Sequence, residues 1–284
     1  MIAGSGVGDR SRGASEEEAI AILRWSPATR ARVLAAPREA GRLHSVFKRA
    51  LNILWHDGRL LSLQGPPPLA APFAAAVSRL PRGATPGMGV RRCDSRILFG
   101  ADSLVWESAS LADTTIHPAA EAIDILAASL KERTRPRVAL GLCSETGRTA
   151  QQLMAQGIRS GNAVAFVEGA RALIGLGEGL TPAGDDCVVG ALVMLNRFSR
   201  PWLGSHPGIT AGIAAAAKDG TTMLGREFIL HALDGSFSEV MLRLVTAASA
   251  QEARRATAQL LATGGTSGAD TLQGMQLALE ALRR

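Results

Sequence analysis

Glycines alternate at Gly175, Gly177 and Gly179, Thr181-Pro182 follows, and Gly184, Asp185 and Asp186 come directly after. Glycine lets a ligand approach the backbone closely, and the first turn of a helix presents unpaired N–H groups at the positive end of its dipole. The stretch therefore reads as an anion site for phosphate or a small carboxylate, with Thr181 as N-cap and Pro182 at the first helical position. The acid of a capping box would fall at Gly184, so Asp185 and Asp186 have no such duty. They are candidate ligands for a divalent metal such as Mg, or acceptors for a carbamoyl NH2 group.

A second stretch repeats this chemistry. Gly264-Gly265 leads into Thr266, Ser267, Gly268 and Asp270 at the start of the last helix, where Ser267 and Asp270 have capping-box spacing. We expect the two stretches to meet and line one pocket, with Asp185 or Asp186 and Asp270 facing it and the Asp186 carboxylate exposed. Thr221-Thr222 reads as a plain N-cap and Arg226 as a solvated arginine.

No side chain here is an obvious nucleophile, so catalytic residues are unassigned. His44, Ser45 and Asp57 have the residue types of a triad but lack a nucleophile elbow. The glycine loop matches neither a phosphate-binding Gly-Lys-Ser/Thr loop nor the dinucleotide spacing. Cys93, Cys143 and Cys187 are too far apart for a metal pair and suggest no disulfide framework.

Stepping outward, Cys187–Leu195 is apolar or small at every position, so its helix must be enclosed by others. Helices are expected near 119–130, 146–156, 162–172, 182–198, 207–218, 222–234, 237–249, 251–262 and 268–283. Before residue 118 the pattern is β-rich. Asp57-Gly58 between apolar runs marks a hairpin, Met88–Arg92 and Arg96–Phe99 pair across Asp94-Ser95, and Leu104–Trp106 is a further strand. Arg137–Cys143 reads as a strand or a buried turn. Ser15 with Glu18 reads as a capping box opening a helix to about Trp25, and Pro27 begins another. The fold class is therefore α+β: a β-rich N-terminal part, then an α-helical C-terminal part built around one buried helix. Residues 1–14 form a flexible leader, 15–117 the β-rich domain and 118–284 the helical domain.

The composition is 46% hydrophobic and 20% charged, typical of a globular chain that can bury a large core. Net charge is +6, but the basic residues are scattered, which argues against nucleic acid as a partner. There is no apolar run of membrane-spanning length and no signal peptide, so a cytoplasmic location is expected.

Residues 175–186, Gly-Leu-Gly-Glu-Gly-Leu-Thr-Pro-Ala-Gly-Asp-Asp, resemble the signature of a bacterial family, long a domain of unknown function, that includes the AllH-type subunit of oxamate carbamoyltransferase. His44–Phe47 through Asn52, Thr221–Gly235 and Gly264–Gly274 agree with it. The resemblance implies a transferase subunit of allantoin catabolism that works with AllF- and AllG-like subunits. Such an assembly converts oxalurate and phosphate to oxamate and carbamoyl phosphate. The alternative is a non-catalytic scaffolding or ligand-binding subunit of a multiprotein complex.

Overall fold

The computed structural model describes residues 19–66, 71–119, 123–131 and 140–283. The leader, the Ser15/Glu18 capping box and residues 137–139 lie outside them, while 140–143, read with 137–139 as a strand or buried turn, is a short helix.

The N-terminal half is a closed barrel. Its strands are β1 (Ile20–Trp25), β2 (Glu39–Val46), β3 (Ala50–Trp55), β4 (Leu60–Gln64), β5 (Ala74–Val77), β6 (Gly89–Cys93), β7 (Arg96–Phe99), β8 (Asp102–Val105) and β9 (Ser110–Leu111). They run in the order β5-β4-β3-β2-β6-β7-β8-β1-β9, and β1 also pairs with β5, which closes eight strands into a ring. The expectation of a simple α+β arrangement is corrected by this closure. Alternating apolar residues show that one face of each strand points inward, and an open sheet and a barrel satisfy that pattern equally. Closure depends on β1, the segment read as the end of a helix. Its first residues pair with β8 and its last with β9 on one side, while β5 lies on the other.

Ile20, Ile22 and Trp25 of β1 point inward with Leu43, Ile53, Trp55, Leu61, Val90, Ile97 and Phe99. Helix α1 (Pro27–Ala35), capped by Ser26, adds Val33 to this core. The Asp57-Gly58 turn joins β3 to β4 as expected, and Asp94, at φ 44°, makes the β6–β7 turn. The 44–55 segment is two strands, folded back at 47–49.

The C-terminal half comprises α2 (Ile123–Lys131), α3 (Leu140–Cys143), α4 (Glu145–Ser160), α5 (Ala163–Leu173), α6 (Ala183–Phe198), α7 (Arg200–Ser205), α8 (Pro207–Gly220), α9 (Met223–Leu233), α10 (Glu239–Val245), α11 (Ala250–Leu261) and α12 (Ser267–Leu282). Helix α6 is buried from Ala183 to Asn196, as its lack of a polar face requires. It lies against α12 at backbone distance. A Cβ on Gly190 would sit 2.0 Å from the Thr271 carbonyl oxygen, and one on Gly274 1.9 Å from that of Cys187. The two contacts are reciprocal, since each glycine is the eighth residue of its helix and meets the carbonyl of the other helix's fifth.

The halves are locked together through the β3–β4 hairpin. Arg59 Nε lies 2.8 Å from both carboxylate oxygens of the fully buried Glu227 on α9, and Arg226 donates to the Gly58 carbonyl. Phe73 stacks on His231 and meets Phe228 edge-on. Arg226, read as solvated, is thus part of the joint.

Candidate functional site

The backbone of the glycine loop needs glycine. Gly175, Gly177 and Gly179 have φ of 80°, 116° and 97°, a region that costs an L-residue roughly 1–2 kcal/mol. Gly175 also leaves no room for a side chain, because a Cβ there would meet the Gly220 carbonyl oxygen at 2.0 Å. Gly177, Glu178, Gly179 and Leu180 are exposed, and among the described residues their N–H groups have no acceptor. The sign of φ alternates along this loop.

The two aspartate-bearing helix starts do meet. The Thr181 and Ser267 hydroxyls lie 2.8 Å apart. Neither residue is a cap: Pro182 and Thr266 hold the N-cap positions of α6 and α12 and make no side-chain cap hydrogen bond. Both hydroxyls are thereby free to face each other and Asp186. Asp186 and Asp270 are each the fourth residue of their helix, on the same reciprocal plan as the glycines.

A third helix start, α9, joins them, and sequence reasoning underrated it. Thr221 donates to Asp185 Oδ2, and the Gly175 N–H donates to Asp185 Oδ1 at 2.8 Å. Thr222 caps the Gly225 N–H as expected, and its hydroxyl also donates to the Leu180 carbonyl at 2.5 Å. A Cβ on Gly225 would lie 2.0 Å from Asp185 Oδ2, so α9 rests directly on that carboxylate. The hydroxyl pair at 221–222 was the available signal, but a local N-cap accounted for it equally well.

Gly184 and Gly268 are packing positions, since a Cβ on either would fall 1.8 Å from a carbonyl oxygen, of Leu173 and Leu260 respectively. The Gly184 N–H donates to the Leu176 carbonyl and the Gly268 N–H to that of Thr263. Thr266 is exposed at the start of α12.

The carboxylates are enclosed. Asp185 is 1% exposed, Asp186 7% and Asp270 0%, which corrects the expectation of an exposed Asp186. Burial raises the pKa of Asp185, against the hydrogen bonds from Thr221 and Gly175. Burial lifts Asp186 well above the ordinary carboxylate range. Hydrogen bonds from Ser267 and Thr181 oppose the rise, while the charges of Asp270 and Asp185 add to it. Asp186 Oδ2 has no hydrogen-bond partner among the described residues. The neighbouring Cys187 thiol is pushed up to about 12, by burial first and then by Asp270 and Asp186. Both Asp185 oxygens are engaged, and among the described residues no group of three or more His, Cys, Asp or Glu could hold a metal ion. The residues present do not fit a metal centre.

The triad types do not assemble. His44 Nδ1 lies 3.2 Å from Ser45 Oγ, which also accepts from Asn52, but the Asp57 carboxylate is held by the Arg32 guanidinium.

A closed barrel clamped to a helical half, with a glycine loop where three helix starts converge, defines the class of molecule. Two family models match it in turn: residues 21–113 match the AllH family N-terminal domain, and residues 173–279 match oxamate carbamoyltransferase subunit AllH. The chain belongs to the AllH family. No curated protein matches it. No solved structure matches it. Membership in a family of enzyme subunits implies protein partners, and among the described residues no helix is long and apolar enough to cross a membrane.

Proposed function

We propose that the chain is a subunit of a carbamoyltransferase and that its glycine loop binds the phosphate or small carboxylate of the reaction. The carrying observation is the set of unpartnered, exposed N–H groups at Gly177–Leu180, set where the positive ends of α6, α9 and α12 converge. The Thr181 hydroxyl stands beside them, and Ser267 orients it. The family description, an oxamate carbamoyltransferase subunit, supports carbamoyl transfer. To this we add oxalurate as donor and phosphate as acceptor, in the cytoplasm, in allantoin nitrogen catabolism, with AllF- and AllG-like subunits. Positioning and electrostatic stabilisation carry such a transfer without a protein nucleophile.

A second reading has an observation of its own. Leu180 is 51% exposed at the tip of the loop, which favours docking against a partner subunit. Titration calorimetry of the purified chain with inorganic phosphate separates the two. Saturable binding that weakens several-fold in Thr181→Val supports the anion site. No binding to the wild-type chain, alone or with its partner subunits, overturns it in favour of scaffolding.

A further inference from the structure

The barrel has one covered face and one open one. The outer sides of β4 and β5 turn toward the helical half, with Ser62 and Ala74 buried and Phe73 packed on α9. On the opposite side β2, β6 and β7 show their outer residues to solvent. Arg42, Arg91 and Arg96 are all exposed there. Register sets their spacing. Arg42 pairs with Gly89, two residues before Arg91 on the same face of β6, and Arg96 pairs with Cys93, two residues after it. The three guanidinium groups therefore form an oblique row across three adjacent strands, each diagonal to the next and within reach of a single bound segment. Exposed Arg38 and Lys48 extend the row at the two ends of β2, and half-exposed Val46 and Phe47 adjoin Lys48. The nearby acids are Glu39, opposite Arg91, and Asp94 in the β6–β7 turn.

These cations are unspent. Arg24, Arg32, Arg59, Arg79 and Arg283 are each paired with a carboxylate, whereas among the described residues Arg38, Arg42, Lys48, Arg91 and Arg96 form no ion pair. Like charges set diagonally on one sheet face repel.

We propose that the β2–β6–β7 face of the barrel docks an acidic segment of a partner protein. Charge complementarity names the occupant's chemistry, and membership in a family of enzyme subunits favours protein over nucleic acid.

The chain carries its own footprint for the test. Cys93 is exposed beside Arg96 at one end of the row, Cys143 is exposed on the helical half, and Cys187 is buried. Alkylation of the whole protein by iodoacetamide is followed by mass spectrometry, with an oligoglutamate peptide as probe at moderate salt. The peptide should slow Cys93 and leave Cys143 unchanged. Arg42→Gln/Arg91→Gln/Arg96→Gln should weaken that protection about tenfold, since three exposed charge pairs contribute a few-fold each. Replacing Arg148, Arg159 and Lys218 on the helical half should not. Three results would overturn the proposal: no protection, equal slowing of Cys93 and Cys143, or stronger protection by single-stranded DNA of matching charge.

Discussion

If the site is built by the contact between α6 and α12, one methyl group in that contact must damage it from a distance. Gly190→Ala is the perturbation. Its Cβ would lie 2.0 Å from the Thr271 carbonyl oxygen, roughly 1.4 Å short of ordinary contact, and also 3.0 Å from the Met275 nitrogen. Both neighbours are backbone, so no side chain can rotate away. The helices must separate, or α6 must bend, and Thr181 would then draw away from Ser267, now at 2.8 Å. Overpacking a close contact costs about 1–3 kcal/mol and more where backbone blocks relaxation, so a loss of at least ~3 kcal/mol is expected. That is a large part of the 5–15 kcal/mol typical of a domain. Gly179→Ala is the control: φ is 97° but no atom lies within 4 Å of its Cβ, so only about 1–2 kcal/mol of strain is at stake. Urea unfolding of both variants, followed by circular dichroism, reads the difference directly. A Gly190→Ala midpoint no lower than that of Gly179→Ala would refute the close-contact account.

Two further outcomes follow from buried titrating groups. Asp186 has a folded pKa above its unfolded value, so its contribution to stability is full below the unfolded pKa near 3.8 and is lost as pH rises through the raised one. Asp186→Asn, which cannot ionise, should therefore gain on the wild type as pH rises from 4 to 8, because ionising an enclosed carboxyl destabilises only the wild type. A difference in melting temperature that is flat across this range would contradict the buried-acid assignment. His231 has the opposite sign. Burial, then the charges of Arg59 and Arg32, lowers it from 6.5 to about 3, so it contributes stability above pH 6.5 that is lost as pH falls toward 3. His231→Phe keeps the stack on Phe73 and should flatten the acid limb of the stability curve, and an unchanged limb would show that the imidazole is not enclosed.

The glycine loop and its helices could be read from the chain because their causes are local. Positive φ at Gly175, Gly177 and Gly179, helical spacing from Ala183 to Phe198, and the Asp57-Gly58 turn each depend on a few neighbouring residues. The likeness of 175–186 to 264–270 was also visible, since both join glycine, hydroxyl and aspartate at a helix start. Tertiary structure decided the rest. Strand alternation tells inside from outside but carries no information on ring closure, so β1 became the eighth member of a barrel only by pairing with both β8 and β5. Thr221 looked like a cap because its partner, the Asp185 carboxylate, lies 36 residues away in sequence. The same distance in sequence hid the burial of Asp185, Asp186 and Asp270. A carboxylate at a helix start is ordinarily solvated, and only the helices packed against these three exclude water from them.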